Sequence, residues 1–294
     1  MERKRELTIR LSQQEGYPVA AVCEALDLPR SSYYRRATKR AEEPAVQTAI
    51  EAVAREFPTY GSRRVSHQLR RPPHALAVNR KRVRRLMRQM GLQRPVRRRK
   101  RRTTDSEHPY PRYPNRVAEL TVTHPDQVWV CDVTYVRVRS EFLYLAVILD
   151  VYPRALRGWQ LGRWLDQELT LTALRGALAE RVPEIHHSDQ GVQYAATAYT
   201  DLLTEFGAQI SMAAQGQPEE NGYAERVIRT IREEEIDLSD YHDFAEARAQ
   251  IGHFIEDVYQ RKRIHSALGY LTPVEFEAAW HQARAEQMFS LTTV

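Results

Sequence analysis

The stretch "DQVWVCDVTYVRVRSEFLYLAVILDVY" (126–152) decides the fold. Two runs rich in β-branched and aromatic residues flank a short polar break, and they read as paired strands. "RALRGWQLGR" (154–163) supplies a third strand. Downstream, Leu165–Ala179 reads as a helix, Glu184–His187 as a short strand, Ala196–Phe206 as a helix and "AQISM" (208–212) as a last short strand. Asp243 and Glu246 form a capping box ahead of Phe244, Ala247, Ile251, Phe254, Ile255 and Val258, an amphipathic helical face. The order β-β-β-α-β-α-β-α-α predicts an α/β layered domain with a mixed sheet.

Upstream of this stretch the character differs. Three prolines and no periodicity make "TTDSEHPYPRYPNR" (103–116) a linker. Residues 1–104 carry 27 Lys/Arg against 9 Asp/Glu, a surplus of 18 positive charges. Residues 105–294 carry 17 against 29, a surplus of 12 negative ones. Compositional bias explains why 39 of the 44 basic residues are Arg, but not why charge is segregated. The asymmetry predicts a polyanion-gripping half joined to a half with other work. With no charged-then-apolar pattern at the first residues and no apolar run long enough for a membrane span, neither a signal peptide nor a spanning helix is expected, and a cytoplasmic protein is. Cys23 and Cys131 make no zinc spacing and are expected as free thiols.

The basic half divides in two. In "YPVAAVCEALDLPRSSYYRR" (17–36), Val19, Val22, Cys23 and Leu26 fall at helical spacing and "DLP" interrupts them. Ser31 or Ser32 is then expected to cap a short helix carrying Tyr33, Arg35 and Arg36, a helix-turn-helix-like pattern over residues 1–42. A second unit, residues 43–102, contains the amphipathic "YGSRRVSHQLRR" and, after a Pro loop, "RKRVRRLMRQM", with Asn79 as cap and Gly91 as stop. Val83, Leu86 or Met87, and Met90 give that last helix an apolar face, and Arg80, Arg84 and Arg88 a basic one. Seven of the nine residues from Arg94 to Arg102 are Arg or Lys, including Arg97, Arg98, Arg99 and Lys100. A solvated surface helix is the bland alternative; the adjoining tail favours double-stranded DNA, gripped through its phosphates.

Three carboxylates stand out in the second half. Asp132 interrupts the apolar "WVCDVTY", where it reads either as an exposed or satisfied strand acid or as a site residue. Asp189 follows the fourth strand, where an Asx-turn ahead of Gly191 is the ordinary reading. Glu225 lies in "QPEENGYAERVIRTIREEE" (217–235), whose Pro218, Glu219 and Glu220 suit a helix start. Asn221, Glu225, Arg229 and Arg232 share one stripe of that helix, opposite Tyr223, Val227 and Ile231, and an i,i+4 Glu–Arg surface pair is the ordinary alternative. Taken together, two strand-associated aspartates and a helical glutamate can converge on one sheet edge as an oxygen-only site for Mg²⁺ or Mn²⁺, and not zinc. Two such ions suit phosphoryl transfer on nucleic acid.

The blocks "WVCDVTYV", "YLAVILDVYPRALRGW", "HSDQGVQY", "GQPEENGYAER" and "YQRKRIHSALGYLTPVEF" resemble, in order, those of bacterial insertion-element transposases, the catalytic OrfB product of the Asp-Asp-Glu superfamily shared with retroviral integrases. Thirty-five residues separate Asp189 from Glu225, the spacing of that class, and the resemblance covers roughly residues 17–278. It implies a ribonuclease H-like core over residues 117–278, a tail over 279–294, and Asp132, Asp189 and Glu225 as ligands of two Mg²⁺ or Mn²⁺ ions. It also implies hydrolysis at element ends, followed by attack of the freed 3′-hydroxyl on a second phosphodiester. The DNA partners would be terminal inverted repeats and target DNA, bound by a homo-oligomer, with an upstream-frame (OrfA) partner or fusion. Arg232 stands where Lys is usual and would contact end DNA, as would Arg229; Glu220 stands where Asp is usual. Asp150 reads as structural; His187, Ser188 and Gln190 as shaping a loop; Tyr259, Arg263 and His265 match a block without an assigned role, with packing the favoured reading of His265. A simple nuclease and a DNA-binding regulator with an inert core are the competing functions.

Overall fold

The computed structural model describes residues 2–34, 43–92, 111–139, 141–214 and 217–292. Among the described residues its basic half holds only helices: α1 (Glu2–Gln13), α2 (Val19–Ala25), α3 (Arg30–Tyr34), α4 (Glu43–Glu56), α5 (Ser62–Gln68) and α6 (Arg80–Gln89). Residues 1–42 were expected to be helical, but no separate helix was singled out where α1 lies. A serine cap was expected on α3, but that helix starts at Arg30, directly after Pro29, so Ser31 and Ser32 lie inside it. On α6 the expectation holds: the Asn79 side chain accepts from Lys81 N–H at 2.8 Å, and Gly91 takes a left-handed φ of 71° beyond its end. Val83, Leu86 and Met87 of α6 pack with Val46, Ile50 and Val53 of α4, Val65 of α5 and Leu69 just beyond it into one core.

The other half is built on a single sheet of β1 (Val128–Val138), β2 (Glu141–Asp150), β3 (Leu156–Gly162), β4 (Ile185–Ser188) and β5 (Gln209–Met212), in the order β3-β2-β1-β4-β5. β1–β2 and β2–β3 are antiparallel; β1–β4 and β4–β5 are parallel. Helices α7 (Gln167–Leu178), α8 (Val192–Ala195) and α9 (Thr197–Glu205) cover one face, and α10 (Gly222–Ile231) and α11 (Phe244–His253) the other. With both faces covered, "YLAVILD" has no solvent side to alternate toward and reads as a continuous apolar run. On β1 the two-residue period still sorts residues: Trp129 and Cys131 face the α7–α9 core, whereas Val128, Val130, Val136 and Val138 face α10 and α11. Asp132 and Thr134 share the parity of the second set. Gly158 of β3 lets α7 come close, since a Cβ there would stand 2.5 Å from the Ala173 carbonyl oxygen.

The predicted capping box forms with one change. Asp243 accepts from Glu246 N–H at 2.9 Å, but the Glu246 carboxylate reaches back to His242 N–H, one residue earlier than the reciprocal bond would require. Both α10 and α11 run on as π-helical turns, Arg232–Ile236 and Phe254–Lys262. α12 (Pro273–Thr292) passes residue 278 without a break, so no change of element marks the expected start of a tail. Of the expected linker, residues 103–110 lie outside the described set; residues 111–116 form no helix or strand but are tied down, with Arg116 N–H donating to Ser211 Oγ at 2.9 Å. No helix among the described residues is long and apolar enough to cross a membrane.

The two halves are clamped together by the Tyr259–Arg263–His265 block. Ile264, fully buried, inserts into the core of α4–α6, and its N–H donates to Tyr60 Oη at 3.0 Å. Arg263 grips Glu234 through two bonds of 2.7 Å, and Arg64 of α5 reaches the same carboxylate at 3.3 Å. Burial alone would push Glu234 up, yet the Arg263 guanidinium holds it below the ordinary carboxylate range. The His67 and Tyr270 rings stack at 3.5 Å, and Arg71 pairs with Glu275. His265 packs edge-on against Tyr259 at 5.0 Å, in keeping with its packing assignment. Arg263→Ala should cost about 3–5 kcal/mol in urea denaturation, because it strands a buried charge. A loss below about 1 kcal/mol would show that the ion pair does not hold the halves together.

Candidate active site and nucleic-acid interface

The last parallel pair of β1 and β4 is Val130 with His187. Two residues further along each chain stand Asp132, still within β1, and Asp189, just past the end of β4. Both are half-buried. The Asp189 carboxylate accepts from Gly191 N–H at 3.0 Å, closing the expected Asx-turn, and Asp132 accepts from Val133 N–H at 2.7 Å. The turn is braced by neighbours: His187 Nδ1 lies 2.8 Å from Ser211 Oγ, Ser188 Oγ donates to the Asp189 carbonyl, and Gln190 donates to the Ala213 carbonyl. The field of the two aspartates adds to burial in pushing the Cys131 thiol and the Tyr194 phenol well above their ordinary values. Negative charge is thus concentrated where β4 stops and β1 continues.

α10 brings the third acid. Asn221, buried ahead of its first turn, donates to the Cys131 carbonyl at 3.0 Å, one residue from Asp132. Eleven residues on, Arg232 donates to Thr134 Oγ1 at 3.2 Å. The helix is therefore pinned to β1 at both ends, with Glu225 between the pins, exposed in the first turn. Ala224, Val227, Ile228 and Ile231 make the buried face. Tyr223, expected on that side, is 47% exposed and instead lies under the Arg154 guanidinium at 4.0 Å. A step of 100° per residue puts Tyr223 at the rim of the apolar arc, where an aromatic ring stays in water unless something covers it.

Asp132 and Asp189 are thus brought together, and Glu225 is carried to the same face by α10. Among the described residues, however, no three His, Cys, Asp or Glu side chains close around a point that would hold a metal ion. The donor set itself fits a hard divalent cation: three carboxylates, with the Asn221 Oδ1 beside them, a buried oxygen with no hydrogen-bond donor among the described residues. Asp150, in contrast, is fully buried away from this group. Burial outweighs the lowering pull of Arg157 at 2.7 Å and of the Asp126 N–H and leaves its carboxyl raised to about 7, while Tyr152 N–H donates to its other oxygen. Arg157 also binds Glu277 of α12, so Asp150 ties β2, β3 and α12 together, the structural role expected of it.

On the nucleic-acid side, Arg80, Arg84 and Arg88 are exposed along α6, while Arg97, Arg98, Arg99 and Lys100, with the rest of Arg94–Arg102, lie outside the described residues. Arg229 lines a cleft facing α5, and Arg232 is half-buried against Thr134. Sequence reading missed Arg63, Arg64, Arg154 and Arg226, which border the junction of the two halves. Each sits in a quoted block, but they are scattered over more than 160 residues and no local spacing joins them.

The Integrase core domain family matches residues 122–218 and 206–273, and the HTH-like domain family residues 40–101. A transposase of insertion sequence element IS904 from Lactococcus lactis is 33% identical, over 83% of this chain and 98% of its own. A transposase of IS629 from Shigella sonnei is 31% identical, over 91% and 94%. An uncharacterised 31 kDa protein of insertion element IS600, also from Shigella sonnei, is 34% identical over 90% of this chain and all of its own. Among solved structures, the simian T-cell lymphotropic virus intasome with PP2A regulatory subunit B56 gamma aligns at a TM-score of 0.46 and 16% identity, over 59% of this chain and 60% of that one. The chain belongs to the insertion-sequence transposases: a DNA transposase with an integrase core domain and an HTH-like helical unit.

Two histidines give this architecture an acid limit. Burial pushes His186 down to about 3, aided by His187, and His265 down to about 2, aided by Arg263 and Arg64. Both are neutral when folded but bind a proton when unfolded, below the ordinary histidine value of about 6.5. Stability should therefore be complete above that pH and fall as pH drops through the window toward 3. At about pH 5.5 the loss should be on the order of 1 kcal/mol per histidine. Thermal melts flat between about pH 7 and 5 would contradict the buried neutral state.

Proposed function

We propose that this transposase is of the Asp-Asp-Glu type, with Asp132, Asp189 and Glu225 holding two Mg²⁺ or Mn²⁺ ions. The observation that carries the reading is the placement of Asp132 and Asp189 two residues beyond the final Val130–His187 pair, on the side where Asn221 anchors the helix bearing Glu225. When bound, the cations supply activation of the attacking hydroxyl and stabilisation of the leaving oxygen at a phosphodiester. Three acids crowded at one edge repel one another, and that repulsion favours cation binding. Glu225 then has to turn inward from its exposed position, a rotamer change on a helix already fixed at both ends.

The chain's own residues do the rest. The Asx-turn fixes the Asp189 carboxylate by its bond to Gly191 N–H, so the acid enters the reaction with its geometry set. Arg229 and Arg232, one and two turns beyond Glu225, offer guanidinium groups to the phosphates flanking the scissile bond. The exposed arginines of α6 and the basic tail grip the duplex without reading its sequence. Hydrolysis of a phosphodiester at an element end exposes a 3′-hydroxyl, and its attack on a target phosphodiester joins the strands as the target's own 3′-oxygen leaves and takes up a proton. Two ends call for two active sites and so for an oligomer on DNA; an upstream-frame partner or fusion would assist its assembly.

Asp189→Asn should lower end cleavage and strand joining by about a thousandfold or more while duplex binding persists, the loss expected when a site gives up several kcal/mol of charge stabilisation. Retained activity would remove Asp189 from the site. Chelation should abolish both steps and added Mn²⁺ restore them. Labelled ends that are cut but never joined would support a simple nuclease instead.

Gly191→Ala gives a subtler test. Its backbone suits alanine, but a Cβ there would stand 2.9 Å from Asp189 Oδ1 and 2.6 Å from Gln193 Nε2. Displacing the carboxylate should lower the cleavage rate by roughly ten- to a hundredfold with an unchanged melting temperature. An unaltered rate would show that the turn does not position the acid.

A further inference from the structure

Two adjoining cavities, of 420 and 180 Å³, lie where the HTH-like unit meets the catalytic core. Arg63, Arg64 and Arg80 line the larger from one side, and Arg226 and Arg229 of α10 from the other. Arg154, Arg226 and Arg263 line the smaller, and Arg64, Arg226, Thr230 and Ser266 belong to both. Glu233 and Glu234 are the carboxylates of the larger lining, and Glu234 is already held by Arg263 and Arg64. No carboxylate lines the smaller cavity, among the described residues. There the Arg154 guanidinium lies over the Tyr223 ring, and its Nη1 is buried with no hydrogen-bond acceptor among the described residues.

A buried guanidinium N–H calls for an acceptor, and a phosphate oxygen in the adjoining cavity would serve as one. The crowding of positive charge is felt by its neighbours. After burial, Arg263 is the next cause holding Arg64 below its ordinary value, and Arg263, Arg64, Arg154 and Arg226 all depress His265. An anion relieves that repulsion. The cavities are not a closed cup for one small ion: the larger runs from Arg80, the first residue of the exposed basic face of α6, to Arg229, one turn beyond Glu225. Four residues of α10 rise about 6 Å, so an occupant of the cleft approaches the Glu225 position.

We propose that this junction is a phosphate-binding cleft that takes the sugar-phosphate backbone of duplex DNA, and that it exists only when the HTH-like unit is docked on α10. The proposal rests on the DNA-transposase reading and extends it: Arg63, Arg64, Arg154 and Arg226 join the two halves around one strand. The occupant is recognised by charge and by guanidinium–phosphate hydrogen bonding, so affinity here is independent of base sequence.

The test uses the full chain and a fluorescein-labelled duplex of arbitrary sequence, about 30 base pairs long, titrated over a range of salt. Arg154→Gln with Arg226→Gln should weaken binding at least tenfold at fixed salt. The slope of log K against log salt should become shallower by about 2, one phosphate contact per arginine. Arg226→Gln alone, on the exposed side of α10, should change the slope by about 1 and serves should the double variant melt early. Unchanged affinity and slope in a folded variant would overturn the cleft and leave the transposase reading intact. Failure of the unaltered protein to bind the duplex would strike at DNA binding itself. If inorganic phosphate raises the melting temperature of the unaltered protein, the double variant loses that rise and duplex affinity is the same for both, the cavity is a small-anion site and the proposal fails.

Discussion

The parallel pairing of β1 with β4, three residue pairs from Val128–Ile185 to Val130–His187, is the constraint on which the site depends. Because β4 ends at Ser188 and β1 continues to Val138, the sheet has a step there, and the two aspartates stand at it. A slip of one residue in either strand would turn its acid to the α7–α9 face, into a core of Tyr199, Leu174 and Leu203. Register is held by burial on both sides: Val128 and Val130 pack toward α10 and α11, Trp129 and Cys131 toward α7 to α9. Few ladder bonds are needed because each residue of the short β4 is buried or half-buried.

The second dependence is the seating of α10. Its apolar face fixes its rotation, Asn221 and Arg232 fix its ends, and Glu234 just beyond it receives Arg263 and Arg64. One continuous helical segment thus carries an acid of the candidate site, arginines of the junction cleft and the carboxylate of the clamp. A π-helical turn begins at Arg232, where the helix passes from contacts with β1 to contacts with the HTH-like unit. The buried pair is a costly device for stability alone, since two charges must leave water. What it adds is a single relative placement of the two halves.

Much of the fold was legible in the sequence because both periodicities were clean. β-branched runs gave the strands, and the Asn79 and Asp243 caps were found by residue type and spacing. The misses have local physical causes. Tyr223 sits at the edge of the helical arc and was drawn off by Arg154, a residue 69 positions away in the chain. Ser31 and Ser32 looked like caps, but Pro29 before them already starts the turn, and α1 has too polar a sequence to show a clear apolar face.

By itself the sequence determined the mixed sheet, the segregation of charge, and three acids in an order and spacing that a known family shares. Those are properties of neighbours along the chain and of residue type, which periodicity and composition record directly. Only the tertiary structure decided that Asp132 and Asp189 stand level, that Glu225 is exposed between two pins on β1, and that Arg263 closes on Glu234. It also decided which of 44 basic residues meet at one cleft. Such meetings are set by register and helix seating across separations of 29 to 170 residues, and no local pattern encodes them.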